Sequence, residues 1–77
     1  MAWEFARKLV KRSGSELLFE IDLREDGVLR DTLQLSCDAS LGAIGIKTKV
    51  KRAAVDRLRE LLVQRGVGTA EGIAAVQ

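Results

Sequence analysis

The most constraining stretch is Glu16 to Asp38, which alternates about a single two-residue turn. Leu17, Phe19, Ile21 and Leu23 are apolar, while Glu20, Asp22 and Arg24 between them are charged. Leu18 is the exception. Successive side chains of a strand point to opposite faces, so a period of two marks a strand buried on one side. Asp26-Gly27 follows, and Asp-Gly is a strong hairpin signal because both central positions of the favoured turn need positive φ. Beyond it Leu33, Leu35 and Cys37 point inward and Thr32, Gln34, Ser36 and Asp38 outward. Leu29 fits the inward set and Asp31 breaks it. A chain with this centre must find something to cover one face of a hairpin.

Two flanking segments offer cover. In residues 2–12, Ala2, Trp3, Ala6, Leu9 and Val10 recur at helical spacing, with Arg7, Lys8, Lys11 and Arg12 on the other side. This predicts a first amphipathic helix, ended at Gly14. From Thr48 to Arg65, Val50, Ala54, Leu58, Leu61 and Leu62 form a second stripe, with Arg52 and Asp56 spaced for an i,i+4 pair and Gly66 as the stop. Residues 39–47 admit either a third strand through Ala43-Ile44-Gly45-Ile46 or an irregular link. The expected fold is α+β: a single small domain of order α-β-β-(β)-α, with an antiparallel sheet and both helices on one face. The domain spans residues 1–66. Residues 67–77 form a small-residue C-terminal tail that frays or makes one short helix capped by Thr69.

Size limits what this layout can hold. A domain of 77 residues buries only about 60% of its unfolded surface. The one cysteine, Cys37, cannot form an intrachain bridge. A homodimer is therefore one way to enlarge the core. There is no histidine, which removes the commonest general base and metal ligand. No run of about 18 apolar residues is present to span a membrane, and no signal-peptide pattern opens the chain. A cytoplasmic setting follows as the default.

The net charge of +2 conceals a segregation. Residues 16–41 carry seven acids and two bases, whereas residues 42–66 carry seven bases and two acids. One reading is self-complementarity, an acidic sheet attracting basic helices within one fold or between copies. The other is anion binding. Lys47, Lys49, Lys51 and Arg52 gather where a helix begins, and backbone N–H groups, dipole and cations all favour a phosphate there.

Sites of chemistry are poorly supported. Gly42-x-x-Gly45-x-Lys47-Thr48 has the wrong glycine spacing for a phosphate-binding loop. Glu20 and Asp22 fall on an open sheet face, where nothing tunes them for acid–base work. Cys37 belongs to the inward set of its strand and behaves as a small hydrophobe. Catalytic residues, metal ligands and cofactors are all read as none, so the chain is not read as an enzyme.

Gly42-Ala43-Ile44-Gly45-Ile46-Lys47-Thr48-Lys49, followed by Arg52-Ala53-Ala54, resembles the third-strand entry and last-helix start of the double-stranded-RNA-binding domain. The likeness runs over residues 4–64, and Leu33, Leu35 and Cys37 match that family's second strand. It implies RNA contacts from the outer face of a first helix, the first hairpin loop and the last-helix N-terminus, the last mapping onto Lys49 and more loosely Lys51 and Arg52. Val50 stands where the family has a lysine, and Glu25-Asp26-Gly27 is acidic and lacks the family's histidine.

Two functions are therefore expected. The first is a small non-catalytic module that engages duplex-RNA-like phosphates, or an acidic protein surface, through Lys47, Lys49, Lys51, Arg52, Arg7, Lys8, Lys11 and Arg12. The alternative is a protein-interaction or assembly module, either a homodimer or a small inhibitor of the kind phages and mobile elements encode. It would use Trp3, Phe5, Glu20, Asp22 and Asp26. A nucleic-acid mimic would add Glu25 and Asp38.

Overall fold

The computed structural model describes residues 2–38, 40, 43–47, 52–67 and 73–76. The elements are β1 (Trp3–Ser13), β2 (Glu16–Glu25), β3 (Val28–Asp38), β4 (Ala43–Lys47), α1 (Arg52–Gln64) and β5 (Ile73–Val76). They form one five-stranded sheet in the order β1-β2-β3-β4-β5. The first three pairings are antiparallel, and β4 and β5 pair in parallel. The expected α+β class with an antiparallel sheet is present, and the third strand is β4. Only one helix occurs among the described residues.

The first helix expected over residues 2–12 is corrected: from Trp3 onward they belong to the strand β1. Trp3, Phe5, Arg7 and Leu9 lie opposite Glu25, Leu23, Ile21 and Phe19 of β2, a period of two along the same face. A register shift between Leu9 and Lys11 leaves Val10 as an extra residue. That bulge moves Lys11 to the outer face and Arg12 back to the inner one. The alternation is thus broken midway, and the remaining apolar positions mimic a helical stripe. Gly14 is a hairpin turn rather than a helix stop. It has φ 61°, and Ser13 pairs with Glu16 across the two-residue turn Gly14-Ser15. Glycine at the first central position suits a type II′ turn. At the next turn both Asp26 (φ 51°) and Gly27 (φ 81°) have positive φ, which is the type I′ signature.

A second bulge corrects the inward set of β3. The β2–β3 register shifts so that Leu23 faces Asp31 and Arg24 faces Leu29, with Arg30 extra. Asp31 therefore lies on the inner face, and Leu29 is turned outward and 50% exposed.

α1 buries Ala54, Val55, Leu58, Leu61 and Leu62 against the inner face of the sheet. The core comprises these with Ile21, Leu23, Leu33, Leu35, Ile46 and Ile73. The helix ends as predicted at Gly66 (φ 75°). Val67 N–H donates to the Leu62 carbonyl at 2.9 Å and Gly66 N–H to the Val63 carbonyl at 3.0 Å, the pair of bonds that closes a Schellman turn. Asp56 accepts from Arg59 at 3.3 Å, in place of the expected Arg52 pairing.

The segment expected as a frayed or helical tail supplies β5. A parallel neighbour needs a crossover, and α1 is that crossover. Ile73 is buried beside Ile44 of β4, and Arg59 Nε donates to the Ile73 carbonyl at 3.1 Å. The helix is thereby tied to the strand that follows it.

Candidate interaction surface

The position of α1 decides where apolar surface remains. A helix of 13 residues is about 20 Å long, while 11 strand residues span about 36 Å. Two stacking contacts fix the alignment. The Arg57 guanidinium lies 4.8 Å from the Trp3 ring centroid, and Arg65, just past the helix end, lies 4.9 Å from that of Phe5. The middle of α1 therefore lies near Trp3, and the helix ends near Phe5. Residues 7–13 of β1, with Leu17 and Phe19 of β2, extend beyond it.

Beyond the helix end lies a groove of about 620 Å³. Its floor is Leu17 and Phe19 of β2, Cys37 of β3 and Ile44 of β4, all half-buried, and Leu62 and Val67 close the helix end. Leu9, opposite Phe19, is 49% exposed. The charged lining residues are Arg7 and Arg65, and Arg7 lies 5.9 Å over the Phe19 ring. Arg12 joins the same side, opposite Leu17. The groove thus has an apolar floor, cationic walls and no acid in its lining. Cation–π stacking shields part of each ring and contributes about 0.5–1 kcal/mol at such exposed sites.

The outer face of the sheet is different. Lys8 stands opposite Glu20, Asp22 accepts from the Thr32 hydroxyl at 3.1 Å, and Arg24 lies 3.7 Å from Asp22. On this face acids and bases are interspersed. A hollow of about 590 Å³ at its end is likewise mixed, with Lys11, Glu16 and Asp38 in its wall.

The expected site residues are dispersed accordingly. Arg7 and Arg12 lie on the helix side of β1 and Lys8 and Lys11 on the outer side. Lys47, at the end of β4, and Arg52, at the start of α1, are exposed. Lys49 and Lys51 lie outside the described residues. The alternative set is also divided. Trp3 and Phe5 pack half-buried against the core on the helix side, whereas Glu20 and Asp22 are on the outer face. Asp26 is tied to Ala2, just before β1, accepting the Ala2 N–H at 2.8 Å and donating its own N–H to the Ala2 carbonyl at 2.8 Å. The outer face of a first helix, one of the three RNA contacts implied by the family resemblance, has no counterpart in β1. Arg57 and Arg65 were not foreseen as site residues. Their signal was present: they sit eight residues apart, about two turns, beside the apolar stripe of α1.

Among the described residues no polar side chain is buried, no cluster of three metal-ligating side chains occurs and no helix is long and apolar enough to cross a membrane. Comparison with known proteins finds no matching family model, no similar curated protein and no similar solved structure.

Proposed function

We propose that this chain is a small non-catalytic protein-interaction module that binds through the groove beyond the end of α1. The observation that supports this reading is the partly exposed floor of Leu17, Phe19, Cys37 and Ile44, contiguous with a fully buried core. Contiguous exposed apolar surface edged by polar groups marks interaction sites on soluble domains, and aromatic and arginine side chains dominate the energetics of such sites. The test is selection of random peptides displayed against the immobilised protein. Selected peptides are expected to shift the amide resonances of Phe19, Cys37 and Ile44, and to lose binding to Phe19→Ser. Selection of nothing, or of peptides indifferent to Phe19→Ser, would sink the reading.

A second reading keeps one specific observation, the four cations of β1. Arg7, Lys8, Lys11 and Arg12 lie within six residues of an edge strand. Duplex RNA or DNA tracking this edge requires binding that falls steeply with salt. Anisotropy with labelled duplexes, single strands and Lys8→Glu/Lys11→Glu separates the two. The splaying of these four side chains to both faces, and the acids beside Lys8 and Lys11, favour the protein partner.

A further inference from the structure

We infer that the occupant of the groove is a short amphipathic helix from a partner protein, apolar on one side and acidic along its flanks. This rests on the protein-interaction reading and specifies the partner.

Charge decides between a second copy and a foreign partner. Arg7, Arg65 and Arg12 surround the groove, and its lining contains no acid. Two copies packed groove to groove would bring six guanidinium groups together with no acid of the lining to neutralise them; the inner-face acids Glu25 and Asp31 sit at the Trp3 end of the sheet, and Glu25 is held by Arg30 at 3.2 Å. The acids Glu20 and Asp22 cannot serve, because they lie on the opposite face of the sheet. Asp56 and Glu60 are engaged on the helix by Arg59 and Arg57, each at 3.3 Å. A partner segment with carboxylates meets the arginines directly, and opposite charge across a rim sets both association rate and specificity.

Shape decides the form of the segment. From Arg7 to Ser13 the uncovered length of β1 is roughly 20 Å, measured along the strand. A helix with its side chains is about 10–12 Å across, so one helix fits within that length. The floor presents Leu17, Phe19, Cys37 and Ile44 from three adjacent strands, the same kind of surface that α1 covers with Leu58, Leu61 and Leu62. Apolar anchors at i, i+3, i+4 and i+7 match such a floor, which is how helices dock into hydrophobic grooves.

The probe is a synthetic amphipathic peptide with leucines at helical spacing flanked by glutamates. One control carries lysines for the glutamates and another has its leucines scrambled. Anisotropy, circular dichroism and amide shifts are measured with each. The glutamate peptide is expected to bind roughly tenfold or more tighter than the lysine peptide, to gain helix on binding, and to shift the amides of Phe19, Cys37 and Ile44. Arg7→Glu/Arg65→Glu should reverse the preference, a gain of binding that a merely misfolded variant cannot produce. Arg7→Gln/Arg65→Gln should abolish the discrimination. Equal binding of the two charged peptides at the groove overturns the acidic partner while leaving the interaction reading intact. Binding without helix gain overturns the helical form. Failure of these peptides, where displayed peptides of other composition bind the groove, overturns this inference alone; failure of both removes the interaction reading as well. A concentration-dependent dimer broken by Phe19→Glu would make a second copy the occupant.

Discussion

The two ends of the same sheet face are built from the same kinds of residue and have opposite fates. Under α1, Ile21, Leu23, Leu33 and Ile46 are at most 2% exposed, as is Leu58 of the helix itself. Two to four residues along the same strands, Leu17, Phe19, Cys37 and Ile44 are only half-buried, and Leu9 and Val10 are about half exposed. Composition does not distinguish these ends; cover does. A 13-residue helix cannot close strands nearly twice its length. The covered end holds the molecule together, and the open end is what it has left to offer a partner.

The sharpest way to test that division is to remove one large side chain from each end. Leu58→Ala, at 0% exposure, should cost about 2–5 kcal/mol in urea unfolding, a large share of the stability of a domain this small. Phe19→Ala should cost clearly less, about 1–2 kcal/mol, because its ring is already partly solvated. Equal losses would mean that the open end belongs to the core and is no binding surface. Gly27→Ala should follow at about 1 kcal/mol, since φ 81° disfavours any side chain, and its effect should be the same whichever end carries a second substitution. Arg59→Ala removes the bond to Ile73 and should cost about 0.5–1.5 kcal/mol, with faster amide exchange confined to β5. The smallest effect expected is Arg65→Ala, about 0.5–1 kcal/mol from lost stacking on Phe5, accompanied by weaker binding of acidic peptides.

What the sequence disclosed follows this same line. The β2–β3 hairpin and α1 were legible because each keeps one period over most of its length and has a glycine at the required turn or stop. Strand β1 was not, because the bulge at Val10 interrupts its alternation and leaves Trp3, Ala6, Leu9 and Val10 at helical spacing. The bulge at Arg30 likewise exchanged the faces of Leu29 and Asp31. Strand β5 is short and alanine-rich, with little strand preference of its own, and exists because β4 offers it an edge. Three of the floor residues, Leu17, Phe19 and Cys37, were in the inward sets of β2 and β3, while Ile44 lay in a segment that admitted a strand or a link. That they form a site depends on where α1 stops, which is a tertiary fact carried by Arg57 on Trp3 and Arg65 on Phe5.

The crossover from β4 through α1 to β5 has a consequence in time as well as in space. Strands β1, β2 and β3 are joined by two-residue turns, so their pairing requires only short loop closures, and hairpins of this kind form within about 1–10 μs. Pairing β5 with β4 brings Ile44 beside Ile73 across the whole of α1, a non-local contact whose ordering cost comes before its reward. The meander should therefore form early and β5 should lock last. Arg59→Ala would then accelerate unfolding while leaving the folding rate nearly unchanged, so that the bond between Arg59 and Ile73 acts mainly on how long the folded molecule lasts.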